Sequence, residues 1–117
     1  MSTVLYHNPR CSKSREALAL VEARGIPVIV REYIRQPPTA AELDAICRQL
    51  GLEPLALIRT KEPRFAELGL SATDSRSRAE WLALMAENPI LIERPILLHK
   101  GKAAVGRPPE QVLALLA

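Results

Sequence analysis

The cysteine at position 11 has the surroundings that most favour covalent chemistry in this chain. It lies in the polar segment 6–15, between a short apolar run and a long stretch with helical spacing, which predicts a thiol at a helix N-terminus. Unpaired backbone N–H groups and the positive end of the helix dipole stabilise a thiolate there and lower the pKa of the thiol. The same N–H groups bind oxyanions. We therefore predict that Cys11 is a nucleophile whose electrophile docks as an anion.

Side chains close to Cys11 in the sequence are candidates to tune this thiol. Ser14 is placed to donate a hydrogen bond to the sulfur, although a serine is also an ordinary residue in the first turn of a helix. His7 ends the preceding apolar run, where it either helps to hold the thiolate or makes a structural hydrogen bond. The sequence leaves both pairs of alternatives open. Three basic residues add positive charge around the thiol: Arg10, Lys13 and Arg15.

The second cysteine, Cys47, is predicted to pack inside a helix, where nothing in the sequence lowers its pKa. Because Ser14 stands three positions after Cys11, the chain has no C-x-x-C dithiol, and regeneration of the active thiol requires a second, external thiol. The two cysteines and two histidines lack the spacing of zinc ligands, so we predict no metal site.

Three arginines in the second half of the chain are candidate anion ligands. Arg94 and Arg107 each precede a proline, and Arg59 is predicted to close a short apolar helix. We hypothesise that the three guanidinium groups converge on a polyanion near Cys11, because arginine binds such groups bidentately. A cis bond at Pro95 would aim Arg94 inward at a fixed angle.

Length and composition indicate one ordinary globular domain. The 117 residues carry a net charge of +3, and the basic residues are interleaved with acidic ones and accompanied by few aromatic residues, which argues against nucleic-acid binding. No apolar run approaches the roughly 20 residues of a membrane span. Free cysteines without a signal-peptide pattern favour a reducing cytoplasm. We expect a cytoplasmic monomer that contacts neither membrane nor nucleic acid.

The order of predicted elements is βαβ, a helical insert, and then ββα, which is an α/β fold. The first unit has strands at 4–7 and 27–33 joined by a helix at 12–24, so the strands should be parallel. Strands at 95–99 and 103–106 form an antiparallel pair, and a last helix covers 110–116. The insert, at about 36–90, is predicted to hold four helical segments: 39–50 after a Thr39–Glu42 capping box, 55–60, 62–68, and one from a cap at Asp74 or Ser75 to Glu87.

Six motifs, in order and over nearly the whole chain, make this sequence similar to the glutaredoxin-coupled arsenate reductases. They are His7-Asn8-Pro9-x-Cys11-x-x-Ser14-Arg15, Tyr33-x-x-x-Pro37-Pro38, Leu57-Ile58-Arg59, Glu67-Leu68-Gly69-Leu70, the run from Asn88 to Ile96, and Gly106-Arg107-Pro108-Pro109. The Cys-Ser-Lys-Ser segment most resembles that of a short bacterial branch of this family.

The resemblance implies a thioredoxin-like fold with a mixed four-stranded sheet, and it assigns roles to residues already singled out. Cys11 matches the catalytic cysteine, His7 a residue that affects its acidity, and Ser14 a serine close to the thiol. Three residues match the family's anion-binding arginines: Arg59, Arg94 and Arg107. Pro95 matches the cis-proline of thioredoxin folds. Ser12 and Lys13 replace a Gly-Thr pair in the anion loop, so we expect both to lie against the substrate.

The resemblance also implies the reaction. The Cys11 thiolate would attack arsenate, glutathione would act as co-substrate, and glutaredoxin would complete the reduction to arsenite, with no tightly bound cofactor. Two alternatives stay open at this point. One is a regulatory module of the Spx type that contacts RNA polymerase, although such regulators often carry the C-x-x-C absent here. The other is a thiol oxidoreductase that acts on a different oxyanion or on a glutathione adduct.

Overall fold

The computed structural model describes residues 3–116, which fall into two compact units. The first unit takes in the chain up to Gln36 and from Arg94 onward, and the second is Pro37–Glu93. The second unit contains the segment for which the sequence predicts a helical insert. The assignment of all 117 residues to a single domain stays a prediction. Within the described residues, no helix is both long and apolar enough to cross a membrane.

The first unit is built on a mixed four-stranded sheet. Its strands are β1 (Val4–His7), β2 (Ile29–Glu32), β3 (Ile96–His99) and β4 (Lys102–Val105), in the spatial order β2-β1-β3-β4. β1 pairs with β2 in parallel, while the β1–β3 and β3–β4 pairs are antiparallel. The predicted parallel and antiparallel pairings are therefore both present.

Helix α1 (Ser12–Ala23) connects β1 to β2 and covers the sheet. Its apolar residues recur at helical spacing, so that one face is buried, and Gly25 takes the left-handed conformation (φ 69°) that follows many helix ends. The fully buried side chains of this core come from β1, α1, β3 and the C-terminal segment: Leu5, Ala17, Val21, Leu97 and Val112. Each large aliphatic side chain buried in this way contributes roughly 1.5–3 kcal/mol.

The elements of the first unit differ from the sequence prediction mainly at their ends: α1 ends at Ala23 rather than 24, β3 begins at Ile96 rather than 95, and β4 ends at Val105 rather than 106. β2 covers only Ile29–Glu32 of the predicted 27–33. β4 begins at Lys102, which was expected in the turn; the turn itself uses left-handed backbone at Lys100 and Gly101 (φ 51° and 77°). The last helix is a 3₁₀ helix that begins one residue earlier than predicted, Pro109–Leu116, and it packs against α1, β3 and β4.

The second unit is helical. It contains α2 (Ala40–Leu50), α3 (Pro63–Glu67), α4 (Arg78–Glu87) and two 3₁₀ helices, Pro54–Leu57 and Pro89–Leu91. The Thr39–Glu42 capping box is confirmed: the Thr39 hydroxyl accepts a bond from the Glu42 N–H, and the Glu42 carboxylate accepts one from the Thr39 N–H.

Two sequence predictions in this unit are wrong. The cap of α4 is Ser77, not Asp74 or Ser75, because Ser77 forms a reciprocal capping box with Glu80. The apolar helix predicted at 55–60 ends at Leu57, and Ile58 is extended and pairs with Ile92. Arg59 therefore follows an extended residue and does not close a helix.

Candidate active site

Cys11 occupies the N-cap of α1, as the sequence predicts. Its backbone is extended (φ −95°, ψ 123°), and its side chain is partly exposed. The Cys11 N–H donates to the Asn8 carbonyl at 2.9 Å, and the Cys11 carbonyl accepts the first helical bond from the Arg15 N–H at 3.0 Å. The thiol thus lies at the junction of a tight turn and a helix, held by backbone bonds on both sides.

The turn before Cys11 is held by two further hydrogen bonds from arginines. The Asn8 side-chain oxygen accepts from the Arg10 N–H at 3.0 Å, which is an Asx turn. The Arg15 guanidinium donates to the Pro9 carbonyl at 2.8 Å. The Asn8 side chain was not predicted to contribute, although Asn at the start of a turn is a known signal for this bond. Arg15 was expected only to add positive charge near the thiol.

The pKa of Cys11 is lowered from that of an ordinary cysteine. Partial burial is the largest single effect and opposes ionisation, but four favourable interactions together outweigh it. They are hydrogen bonds from the backbone N–H groups of Ser14 and Lys13, the positive charge of Arg94, and a hydrogen bond from the Arg94 side chain. The predicted effect of the helix N-terminus is therefore present, and Arg94 adds to it.

Ser14 acts on the thiol through its backbone rather than through its hydroxyl. The hydroxyl, which is fully buried, lies 2.6 Å from Nδ1 of His7 and accepts a bond from the Asn8 N–H at 3.0 Å. The bonds that the structure shows for this hydroxyl thus go to the end of β1 and to Asn8, and its donation to the Cys11 sulfur stays a prediction. The functional role of Ser14 stays a prediction.

His7 is buried at the end of β1, and burial is the main reason that its pKa is lowered. The charge of Glu32 opposes this shift, while that of Arg15 reinforces it. Its ring is consequently neutral at pH 7, and it brings no positive charge to the thiol. Of the two alternatives for His7, the structural hydrogen bond is the one that the geometry displays.

Arg94 and Arg107 lie together in the first unit. The peptide bonds Arg94–Pro95 and Arg107–Pro108 are both cis, and Pro95 is the candidate cis-proline of the sequence analysis. The Arg107 guanidinium donates to the Arg94 carbonyl at 3.4 Å, and the Arg94 side chain bonds to Cys11. The pairing of β3 with β4 produces this arrangement, because Arg94 precedes β3 and Arg107 follows β4.

Arg59 belongs to the second unit. Its backbone N–H donates to the Leu91 carbonyl at 2.7 Å, and its guanidinium forms an ion pair with Glu62 at 2.8 Å and contacts the Ile90 carbonyl at 3.4 Å. These bonds fix the side chain within its own unit. The convergence of Arg59 with the other two arginines on a substrate stays a prediction.

The remaining candidates divide clearly by burial. Ser12 and Lys13 are exposed in the first turn of α1, and their contact with a substrate stays a prediction. Cys47 is fully buried in α2, where burial raises the pKa of its thiol. In the part of the chain that the structure describes, no group of three or more metal-ligating side chains occurs.

The sequence of this chain, with its partly exposed cysteine at a helix N-terminus, also matches a known protein family. A family model described as the ArsC family matches residues 6–115. The chain belongs to the ArsC family. Its resemblance to arsenate reductases is thereby confirmed, while its place in the branch with Cys-Ser-Lys-Ser stays a prediction.

Individual relatives of this ArsC chain match it over nearly its full length. It is 44% identical over 117 residues to an arsenate reductase of Haemophilus influenzae, covering 99% of this chain and 100% of that one. It is 47% identical over 113 residues to an arsenate reductase of Neisseria meningitidis serogroup A, covering 96% of each. The solved structure of an arsenate reductase from Vibrio cholerae superposes with a TM-score of 0.93 at 50% identity, covering 98% of each chain. The thioredoxin-like α/β fold is confirmed by this match.

Proposed function

We propose that this chain is an arsenate reductase in which the Cys11 thiolate attacks arsenic. The observation that carries the proposal is the Cys11 thiol at the N-cap of α1, whose pKa is lowered in part by the charge and a side-chain hydrogen bond of Arg94. This arrangement supplies a nucleophile that ionises more readily than an ordinary cysteine, together with a cation for an oxyanion. The names of relatives that are 44% and 47% identical support arsenate as that oxyanion.

In the first step the Cys11 sulfur forms a bond to arsenic. One As–O bond breaks, and that oxygen leaves as water after it takes up a proton, so arsenic stays pentavalent. Arg94, Arg107 and the backbone N–H groups at the start of α1 offset the negative charge of the oxyanion. We assign Arg59 as the third arginine of this set. By analogy with oxyanion holes, loss of one such donor costs roughly 3–4 kcal/mol.

External thiols complete the reduction in this proposal. The glutathione sulfur forms a bond to the arsenic of the Cys11 adduct, while a second As–O bond breaks and its oxygen leaves as water, so arsenic is still pentavalent. A glutaredoxin thiolate then attacks the glutathione sulfur and breaks the bond between that sulfur and arsenic. The glutaredoxin–glutathione disulfide that forms leaves two electrons on arsenic, which becomes trivalent. Hydrolysis of the remaining S–As bond releases arsenite and returns the Cys11 thiol. The state of Cys47 supports external thiols, because its side chain is fully buried in α2 and burial raises the pKa of its thiol.

The proposal needs no tightly bound cofactor, since glutathione and glutaredoxin act as substrates. We place the reaction in the cytoplasm, where the glutathione pool keeps thiols reduced. We also propose that the chain acts as a monomer. The protein partner is then glutaredoxin, with which it exchanges a glutathionyl group, and neither a membrane nor a nucleic acid takes part.

A coupled assay tests this function. NADPH oxidation is followed in the presence of glutathione reductase, glutathione, glutaredoxin and arsenate, for the wild type and for Cys11→Ser and Cys47→Ser. We expect arsenate-dependent turnover that Cys11→Ser abolishes and Cys47→Ser retains. Equal loss in both variants would mean that the nucleophile is misassigned.

The same assay separates the alternatives. Turnover with a glutathionylated peptide or with another oxyanion, but not with arsenate, would identify a different thiol oxidoreductase and overturn arsenate as the substrate. Capture of RNA polymerase subunits together with no glutathione-dependent turnover would support a regulatory module instead.

A further inference from the structure

Gly106, between β4 and Arg107, has a neighbour that leaves no room for a side chain. A Cβ atom built there would lie 2.8 Å from Cγ of Pro95, which is closer than real Cβ contacts come. We propose that Gly106 is a positioning residue: its missing side chain lets Pro95 pack onto the backbone and thereby holds Arg94 against the Cys11 sulfur. The inference deepens the proposed function, on which it rests for the identity of the anion.

The space around Gly106 is closed on its other sides as well. The same Cβ would lie 3.2 Å from Cγ1 of Val112 and 3.4 Å from Cβ of Ala17, and both of those residues are fully buried. A methyl group at 106 therefore has no void to enter, because a packed core yields little to added volume. The proline ring is the neighbour that must move.

A need for left-handed backbone does not explain why residue 106 is a glycine. Three other glycines, Gly25, Gly51 and Gly69, have φ angles of 69° to 71° and nothing within 4 Å of a built Cβ. Glycine is favoured at these positions because it adopts the left-handed conformation without strain. Gly106 is not among the residues with positive φ. An alanine at this position would consequently suit the backbone, and its effect would come from the contacts of its methyl group, of which that with Pro95 is the shortest.

Two hydrogen bonds tie the segments on either side of this contact. The Gly106 N–H donates to the Pro95 carbonyl at 2.8 Å, and the Arg107 guanidinium donates to the Arg94 carbonyl at 3.4 Å. Each arginine is the direct chain neighbour of one of the packed residues. The contact between Gly106 and Pro95 thus sets the spacing of the two arginines.

The thiol depends on that spacing through Arg94. The Arg94 side chain donates a hydrogen bond to Cys11 and stabilises its thiolate by charge. Hydrogen bonds weaken steeply when distance or angle departs from the optimum. Displacement of Pro95 carries Arg94 with it, so that both effects on Cys11 decline although no charged residue has been removed.

The test compares Gly106→Ala with Val112→Ala, each in a Cys47→Ser background. Iodoacetamide alkylation of Cys11 is measured against pH, and protection from alkylation is measured against arsenate concentration. We expect Gly106→Ala to raise the pKa of Cys11 and to weaken arsenate protection roughly tenfold, a fraction of the effect of deleting a donor outright. Val112→Ala loosens the same core without adding an atom against Pro95, and we expect it to keep both properties. Equal changes in the two variants would show general loosening and overturn the proposal.

A double variant shows whether Gly106 acts through Arg94. In an Arg94→Gln background we expect Gly106→Ala to cause no additional rise in the Cys11 pKa, because the interaction it disturbs is already absent. Additive effects would contradict the proposed route. If Gly106→Ala alone does not fold, Gly106→Ala with Val112→Ala relieves the 3.2 Å contact and keeps the one to Pro95. A wild-type Cys11 pKa in that folded variant would refute the proposal.

These readouts are separable from the proposed function. The pKa of Cys11 is measured without any turnover, so it reports on Gly106 even in a protein that does not reduce arsenate. A wild type that fails to reduce arsenate while Gly106→Ala still raises the Cys11 pKa would overturn the substrate and leave the positioning role intact.

Discussion

The Ser14 hydroxyl lies 2.6 Å from Nδ1 of His7, so that the first turn of α1 is bonded directly to the end of β1. The same hydroxyl accepts the Asn8 N–H, and Asn8 in turn accepts the Cys11 N–H. One buried hydroxyl therefore organises the turn that carries the thiol. This relationship gives Ser14 and His7 a definite structural role at the candidate site.

Removal of this hydroxyl should destabilise the fold. Ser14→Ala leaves the His7 ring nitrogen and the Asn8 N–H without their partner, which costs about 1–3 kcal/mol for buried polar groups. Urea unfolding measures the change. Ser12→Ala, an exposed serine two residues earlier, is the matched control and should change stability by less than about 0.5 kcal/mol. Similar losses in the two variants would contradict the role of the buried bond.

Stability should fall with acid in a way that depends on His7. Because burial lowers the His7 pKa in the folded state, the unfolded chain binds the proton more readily. The free energy of unfolding therefore declines as pH drops below about 6.5, the pKa of an unperturbed histidine, and continues to decline until the lowered folded pKa is reached. Urea unfolding between pH 5 and 7.5 tests this. His7→Gln should flatten the profile in this range, and an unchanged slope in that variant would exclude His7 as its source.

Arg94 and Arg107 should differ in their effect on the thiol. Arg94→Gln should raise the pKa of Cys11, because the charge of Arg94 and a hydrogen bond from its side chain both stabilise the thiolate. Arg107→Gln should weaken arsenate binding with a smaller effect on that pKa, since Arg107 contacts the Arg94 carbonyl. Arg24→Gln, at the opposite end of α1, serves as the control for a change in net charge. Alkylation profiles and arsenate KM values measure these effects, and a Cys11 pKa that responds equally to all three would indicate only a long-range field.

The cap of α4 gives a test of the second unit. Ser77→Ala should cost about 1 kcal/mol in the free energy of unfolding, because it removes the hydroxyl that accepts the Glu80 N–H. Ser75→Ala should have almost no effect, since Ser75 lies outside the helix. The reverse order of the two losses would restore the cap predicted from the sequence.

Local signals in the sequence were sufficient for much of the first unit. Helical spacing after Cys11 and β-branched residues after Gly25 predicted the βαβ unit, and they placed the thiol at its helix N-terminus. The Thr39–Glu42 box also followed from sequence alone. For α4 the segment 71–77 offers several residues able to cap, and Asp74 instead accepts the Ser71 N–H. Glu80, three positions after Ser77, is the signal that distinguishes Ser77 from the other possible caps.

Contacts between distant segments were beyond sequence reasoning. Arg94 and Arg107 come together because β3 pairs with β4. The spacing of the two residues in the sequence does not predict the positions of their side chains. The sequence left open whether the Ser14 hydroxyl bonds to the Cys11 sulfur or belongs to an ordinary residue of the first turn, and the packing of α1 against β1 is what brings it to the His7 ring. The contacts of Pro109–Leu116 with α1, β3 and β4 likewise join segments that are distant in the sequence.

The role of Cys11 as nucleophile requires a thiol that is accessible and more acidic than an ordinary cysteine, and alkylation measured against pH tests both properties. In the folded chain at pH 7, iodoacetamide should modify Cys11 and leave Cys47 untouched, because Cys47 is fully buried and its pKa is raised by burial. We expect the rate of Cys11 modification to titrate with a midpoint below about 8.5, the pKa of a free cysteine. A midpoint at or above about 8.5 would contradict it.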